Sequence, residues 1–310
     1  MGALRCISMA ICLLSLGACS SVPFEPKDYS RGYSDIRLLM NHRPPTVDDF
    51  FNQGPVLFER DQNLEIQLTH QESILVDLFL PKQKKPSPLL VFQHGNHSSK
   101  NYHQYQALLA ASWGFNAMTV EQPNKGQWLE NGKRLKKLVD LLSTWPKFLD
   151  SRYNPDKIIL VGHSFGGSAI AIAAGMGAPV DGLIFLDPAL VHRSVIQSLK
   201  KINAPSILLG ADEKVFRSRR RHQFYRHVKG PMLEVSIKNA THNDAQFPNM
   251  FSWKQAFGLA PTTDEDRQKQ FAAAIVAAAF SIAEWDSPSY FLKAAQKSEK
   301  LALKRYRQRL

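Results

Sequence analysis

Lys157-Ile158-Ile159-Leu160-Val161 runs directly into Gly162-His163-Ser164-Phe165-Gly166-Gly167 and then into the small, apolar stretch Ser168–Ala174. The continuous β-branched run predicts a strand covered on both faces, and the Ala- and Ile-rich stretch after it predicts a helix. Glycines on either side of Ser164 permit a turn too sharp for larger residues. A strand, Gly-x-Ser-x-Gly and helix in that order lift a serine hydroxyl above the strand end, beside the positive end of the helix. Ser164 is the candidate nucleophile.

Outward from this turn the chain alternates. Apolar or β-branched runs at Leu64–Leu68, Ile74–Leu80, Leu89–Gln93, Phe115–Glu121, Ile158–Val161, Leu183–Leu186, Ser206–Leu209 and Leu233–Ile237 read as strands. Helical stretches at Tyr102–Ser112, Gly132–Leu149, Gly166–Gly175, Val191–Lys201 and Arg217–His227 lie among them. A last long helix follows Thr262-Thr263-Asp264-Glu265, a capping-box pattern, and its apolar stretch Phe271–Ala283 is too short to span a membrane. The alternation predicts an α/β fold, with one doubly wound, mostly parallel sheet and helices on both faces. The expected organisation is a signal peptide at 1–18, an extension at 19–58, one folded domain at 59–286 and a basic tail at 287–310.

The 310 residues are 44% apolar and 21% charged, which argues against disorder, collagen-like repeats and a polytopic membrane protein. A net charge of +12 suggests attraction to polyanions without choosing among nucleic acid, phospholipid and an acidic envelope. All the cysteines, Cys6, Cys12 and Cys19, lie near the amino terminus. The body is therefore expected to hold no disulfide framework, thiolate metal site or cysteine nucleophile.

A serine nucleophile needs an oxyanion site, a base and an acid. Leu90-Val91-Phe92-Gln93-His94-Gly95-Asn96 offers a strand followed by His-Gly, which makes the backbone N–H groups of Asn96 and Phe165 the candidate oxyanion donors. His94, His97 and His103 lack an accompanying carboxylate or cysteine in that segment, so no metal site and no cofactor are expected. Val235-Ser236-Ile237-Lys238 is the last predicted strand, and His242 in the loop after it is the candidate general base. The acid is open at this point among Asp187, which ends one strand, and Asp212 or Glu213, which follow the next.

Phe92-Gln93-His94-Gly95, Trp113-Gly114-Phe115, Gly162-His163-Ser164-Phe165-Gly166-Gly167, Leu186-Asp187-Pro188 and Thr241-His242 together resemble the α/β-hydrolase superfamily. Within it the chain looks most like the platelet-activating-factor acetylhydrolases and chlorophyllases, with dienelactone hydrolases and bacterial cutinases as relatives. The resemblance implies a serine hydrolase of carboxylic esters, including lipid esters, working through an acyl-enzyme. In that group the acid sits on the Leu-Asp loop, which implies Asp187; in cutinase-like relatives it sits one strand later, near Asp212. An acyltransferase with the same residues, or a non-catalytic envelope lipoprotein using the fold as a binding scaffold, are the alternatives.

Met1 to Ala18, with Arg5 and an apolar run from Cys6 to Leu16, reads as a signal peptide. Leu16-Gly17-Ala18-Cys19 resembles the lipobox of bacterial lipoproteins, which implies cleavage before Cys19 and its lipidation. Ser20 after it resembles outer-membrane sorting, so a lipid-anchored place in the bacterial envelope is expected, with Ser20 to Arg31 as the tether. The segment after His242 carries Phe247, Met250, Phe251, Trp253 and Phe257, either as a pocket wall or as cover for the sheet. Basic stretches at Lys214–Lys229 and Lys293–Arg309 read as solvated helix faces, and the second also allows a short amphipathic helix on anionic lipid. No nucleic-acid partner is expected, since no recognition motif accompanies the charge.

Overall fold

A computed structural model describes residues 46–82, 86–122, 127–144, 155–212, 220–248 and 263–308. The signal peptide, Cys19, the tether, Glu213, Lys214, Arg217, Arg219, Met250, Phe251, Trp253, Phe257 and Thr262 lie outside those residues.

The strands are β1 (Phe58–Thr69), β2 (Glu72–Pro81), β3 (Leu89–Gln93), β4 (Asn116–Glu121), β5 (Ile158–His163), β6 (Gly182–Leu186), β7 (Ser206–Ala211), β8 (Met232–Ile237) and β9 (Leu301–Arg307). They form one sheet in the order β1-β2-β4-β3-β5-β6-β7-β8-β9. From β4 to β8 every neighbour is parallel, and antiparallel pairs occur only toward the ends, at β1–β2, β2–β4 and β8–β9. The chain is thus a single α/β domain with a mostly parallel sheet flanked by helices.

The helices are α1 (Gln104–Ser112), α2 (Trp128–Thr144), α3 (Phe165–Gly175), α4 (Val195–Leu199), α5 (His222–His227), α6 (Glu265–Trp285) and α7 (Ser289–Lys297). Alternation along the strands divides the core between the two faces. Leu90, Phe92, Ile159 and Val161 pack on the side of α1 and α6; Leu89, Val91, Ile158 and Leu160 pack on the side of α2 and α3. Both sets are buried, which explains why the central strands read as unbroken apolar runs.

Several expected boundaries move. The helix expected at Gly132–Leu149 begins earlier, at buried Trp128, and 145–149 lie outside the described residues; Gly132 is a contact point inside it, where a Cβ would lie 2.6 Å from Ile172 Cβ on α3. The helix placed at Val191–Lys201 shortens to α4, since the His192 ring bonds the Ser194 hydroxyl at 2.9 Å and accepts from its N–H at 3.2 Å, holding a turn ahead of it. Asp264 caps α6 by accepting from the Arg267 N–H at 3.0 Å.

Described residues on either side of 59–286 pack with the fold. Residues ahead of 59 enter the core through a 3-10 turn at Val47–Phe50, where Phe50 stacks on Phe280 at 5.3 Å. In the basic stretch after 286, α7 packs Phe291 into the core, and β9 pairs with β8 as the last strand of the sheet. An alternating pattern of Leu301, Leu303 and charged residues suits such an edge strand better than a surface helix. No helix among the described residues is long and apolar enough to cross a membrane.

Phe280 is buried, and besides stacking on Phe50 it meets Phe115 edge-on at 4.7 Å. Phe280→Ala is expected to lower the unfolding free energy by about 3–5 kcal/mol. Urea denaturation of the two proteins, read at equal m-value, checks this.

Candidate active site

At the carboxyl end of β5 the chain turns into α3 through Ser164, which has φ 53° and ψ −120°. A positive φ is uncommon for a residue with a side chain, and it is sustained here because surrounding bonds fix the peptide units on both sides. The Ser164 N–H donates to Leu186 O at 3.0 Å, and Ser164 O accepts from Gly167 and Ala189 N–H groups at 3.0 and 2.9 Å. Any Cβ at Gly166 would collide with the carbonyl oxygens of Gln93 and His94, so the helix can approach β3 this closely only with glycine there.

The loop after β3 lies against this turn. A Cβ at Gly95 would come within 2.9 Å of Ser164 Cβ. His94, fully buried, holds that loop: its Nε2 accepts from the Gln122 N–H at 3.2 Å, which leaves the proton on Nδ1 to donate to Gly95 O at 2.8 Å. Asn96 is exposed just beyond, and Phe165 heads α3, where the first-turn N–H groups have no acceptor within the helix. Phe165 follows Ser164 directly, and Asn96 follows Gly95, whose backbone lies against it.

His242 opens a 3-10 turn, His242–Ala245, which Thr241 and Asp244 organise. The Thr241 N–H donates to Asp244 Oδ2 at 2.7 Å, and Asp244 Oδ1 accepts from the Asp264 N–H at 2.8 Å, tying the loop to the start of α6. From α1, Gln106 Nε2 donates to Ala245 O at 2.9 Å while its Oε1 accepts from His103 Nδ1 at 2.5 Å. Burial lowers the His103 pKa to about 4, so this ring is neutral at ordinary pH.

Of the acids considered, Asp187 stands beside His242: His242 Nδ1 lies 2.5 Å from Asp187 Oδ2, with both groups buried. Asp187 Oδ1 accepts from the Ala211 N–H at 3.2 Å and from Arg221 Nη1 at 2.6 Å. Asp212 instead pairs with Lys304 Nζ on β9 at 3.0 Å. Burial by itself would raise the Asp187 pKa, but the hydrogen bond and charge of His242, followed by those of Arg221, reverse this and bring it to about 2.

Two contributors were not foreseen. His163 occupies the variable position before the serine, yet its Nε2 donates to His242 O at 3.1 Å and its ring lies 4.4 Å from the His242 ring. Arg221, placed among solvated basic residues, turns inward onto Asp187 instead. The run Arg219-Arg220-Arg221 conceals which arginine turns inward, and only long-range pairing reveals it. Phe247 is buried against the Tyr105 ring at 4.3 Å, which makes it cover for α1. Among the described residues no group of three His, Cys, Asp or Glu side chains is placed to hold a metal ion.

Asp187 sits below its unfolded pKa, so its contribution to stability is present above about pH 4 and is lost as pH falls through about 2. That contribution is about 2 kcal/mol. Asp187→Asn removes it, and the decline of unfolding free energy between pH 5 and pH 2 is expected to be shallower in the variant by that amount. Urea titrations across this pH range measure it.

A comparison with curated proteins returns no match. A family model described as "Alpha/beta hydrolase family" matches residues 89–292, more than half of the chain, from β3 through the nucleophile turn and the His242 loop into α7. With a mostly parallel sheet and a serine on its strand-to-helix turn, the chain belongs to the alpha/beta hydrolase family.

Proposed function

We propose that this hydrolase cleaves carboxylic esters through an acyl-enzyme, with Ser164 as nucleophile, His242 as general base and Asp187 as the acid that orients it. The observation that carries this is the 2.5 Å contact of His242 Nδ1 with Asp187 Oδ2, at the sheet edge where Ser164 projects from its strained turn. With Nδ1 directed at Asp187, the opposite ring nitrogen, Nε2, is the one that takes the Ser164 proton. Ser164 Oγ then attacks the ester carbonyl carbon, and the backbone N–H groups of Asn96 and Phe165 receive the negative charge on its oxygen. Collapse of the tetrahedral species breaks the bond to the alcohol, which leaves with the proton from His242. A water molecule, deprotonated by the same imidazole, releases the acid and restores Ser164.

Asp187 remains ionised throughout, because its pKa lies well below that of the imidazolium it faces. Trp128 meets Phe165 edge-on at 5.9 Å and His94 at 6.0 Å, which gives the site an aromatic side suited to an apolar ester. The expected lipobox extends the proposal: Cys19 carries lipid and holds the hydrolase at a bacterial envelope membrane, within reach of lipid esters. Cys19→Ala is expected to lose palmitate labelling and move to the soluble fraction.

Intact-mass analysis after fluorophosphonate treatment tests the chemistry. A single adduct is expected on the wild-type protein and none on Ser164→Ala, with ester hydrolysis lower by about 10⁴-fold or more in the variant. No adduct on folded protein, or one that survives Ser164→Ala, overturns the proposal.

A further inference from the structure

We propose that Arg221 is a positioning residue for this reaction, its guanidinium holding the Asp187 carboxylate in line with His242 while the buried Glu234 on β8 holds the guanidinium. The inference rests on the acyl-enzyme reading given above. Arg221 Nη1 bridges Asp187 Oδ1 at 2.6 Å and Ala211 O at 2.7 Å. The other carboxylate oxygen faces His242, so rotation of the carboxylate would break contacts at both ends. Behind Arg221, its Nε lies 3.5 Å from Glu234 Oε1, and Arg305 Nε on β9 lies 3.5 Å from Glu234 Oε2. Charges therefore alternate from the site to the sheet edge, as Asp187, Arg221, Glu234 and Arg305. Two carboxylates are buried together only because each faces a cation.

The surroundings are built for this guanidinium. Any Cβ at Gly210 would collide with its Nη1, so the glycine of the β7 end gives it room. Arg305 and Arg307 lie over the Tyr225 ring at 5.4 and 5.1 Å, and Arg307 donates to Tyr225 O at 2.9 Å and to Val228 O. The edge strand thereby fastens α5, the helix that begins directly after Arg221.

A cation in contact with Asp187 also acts through the carboxylate on His242. It disfavours the imidazolium, so removing it raises the pH at which His242 loses its proton. Removing the Glu234 charge acts in the opposite sense. Among the described residues, other charged and titratable groups around the pair include His163 on β5 with His103 against it, Asp244 in the His242 turn, Asp212 with its partner Lys304, and Arg305 on β9.

The test uses the full chain with Arg221→Gln, Arg221→Lys and Glu234→Gln. It follows kcat and KM for a short p-nitrophenyl ester against pH, and the downfield proton resonance of the His242 Nδ1–H against pH. Arg221→Gln is expected to move the acidic limb of kcat/KM upward by about half to one pH unit, to lower kcat about tenfold and to leave KM within about twofold. Arg221→Lys restores the position of the limb, and Glu234→Gln moves it downward. The resonance follows the same shifts, and it reports the coupling even in a protein that hydrolyses no ester. Should Arg221→Gln not fold, Arg221→Gln/Glu234→Gln removes the buried pair together, and its limb stays above the wild-type position because Arg221 is the nearer charge. A limb and a resonance that do not move in a folded Arg221 variant overturn the proposal. A wild-type protein that takes no fluorophosphonate, while the resonances of the variants shift as described, overturns the ester reading alone.

Discussion

The turn at Ser164 sets the terms for everything around it. A side-chain-bearing residue at φ 53° stores strain of order 1–3 kcal/mol, and it stays there only while its neighbours leave no relaxed alternative. The bonds to Leu186, Gly167 and Ala189 fix the peptide units on either side of the serine, and Gly166 lets α3 close against β3. The restraints come from the end of β6 and the loop after it, from the start of α3 and from the end of β3. The serine's orientation therefore depends on the register of β3, β5 and β6 together.

The same dependence extends to Asp187 and His242. Asp187 also has a positive φ, 36°, at the end of β6, and its N–H donates to Leu209 O on β7 at 2.7 Å. His242 is held by α1 and α6 through Gln106 and Asp244 and by β5 through His163. The helices α1 and α6, on one face, thus reach the carboxyl edge from which α3 starts on the other, and the core beneath them keeps the side chains from drifting apart. A carboxylate at 6% exposure can remain charged there because donors surround it on both oxygens.

How much of this was legible follows from the range of each interaction. The strands from β3 to β8 were readable because burial on both faces writes an unbroken apolar run, and Gly162 to Gly167 were readable because a sharp turn demands glycine locally. Asp187 and Asp212 could not be separated by position alone, since both leave the same sheet edge. The strand β9 escaped because an edge strand, half exposed and rich in Lys and Arg, has the composition of a solvated helix. Arg221 and His163 escaped for a related reason: their roles depend on partners far along the chain, Asp187 and His242, that no local pattern names.

Those separations have a kinetic meaning. Asp187 and His242 stand 55 residues apart, Gln106 and Ala245 139, and Gln246 and Ser98 148. Closing loops of that size costs entropy before any contact returns it, so the edge that carries the site is complete only when the strands and helices that bear it are all in place. Competence for chemistry is thus a property of the finished sheet, and a partly folded chain, however compact, has its serine, imidazole and carboxylate on segments that have not yet met.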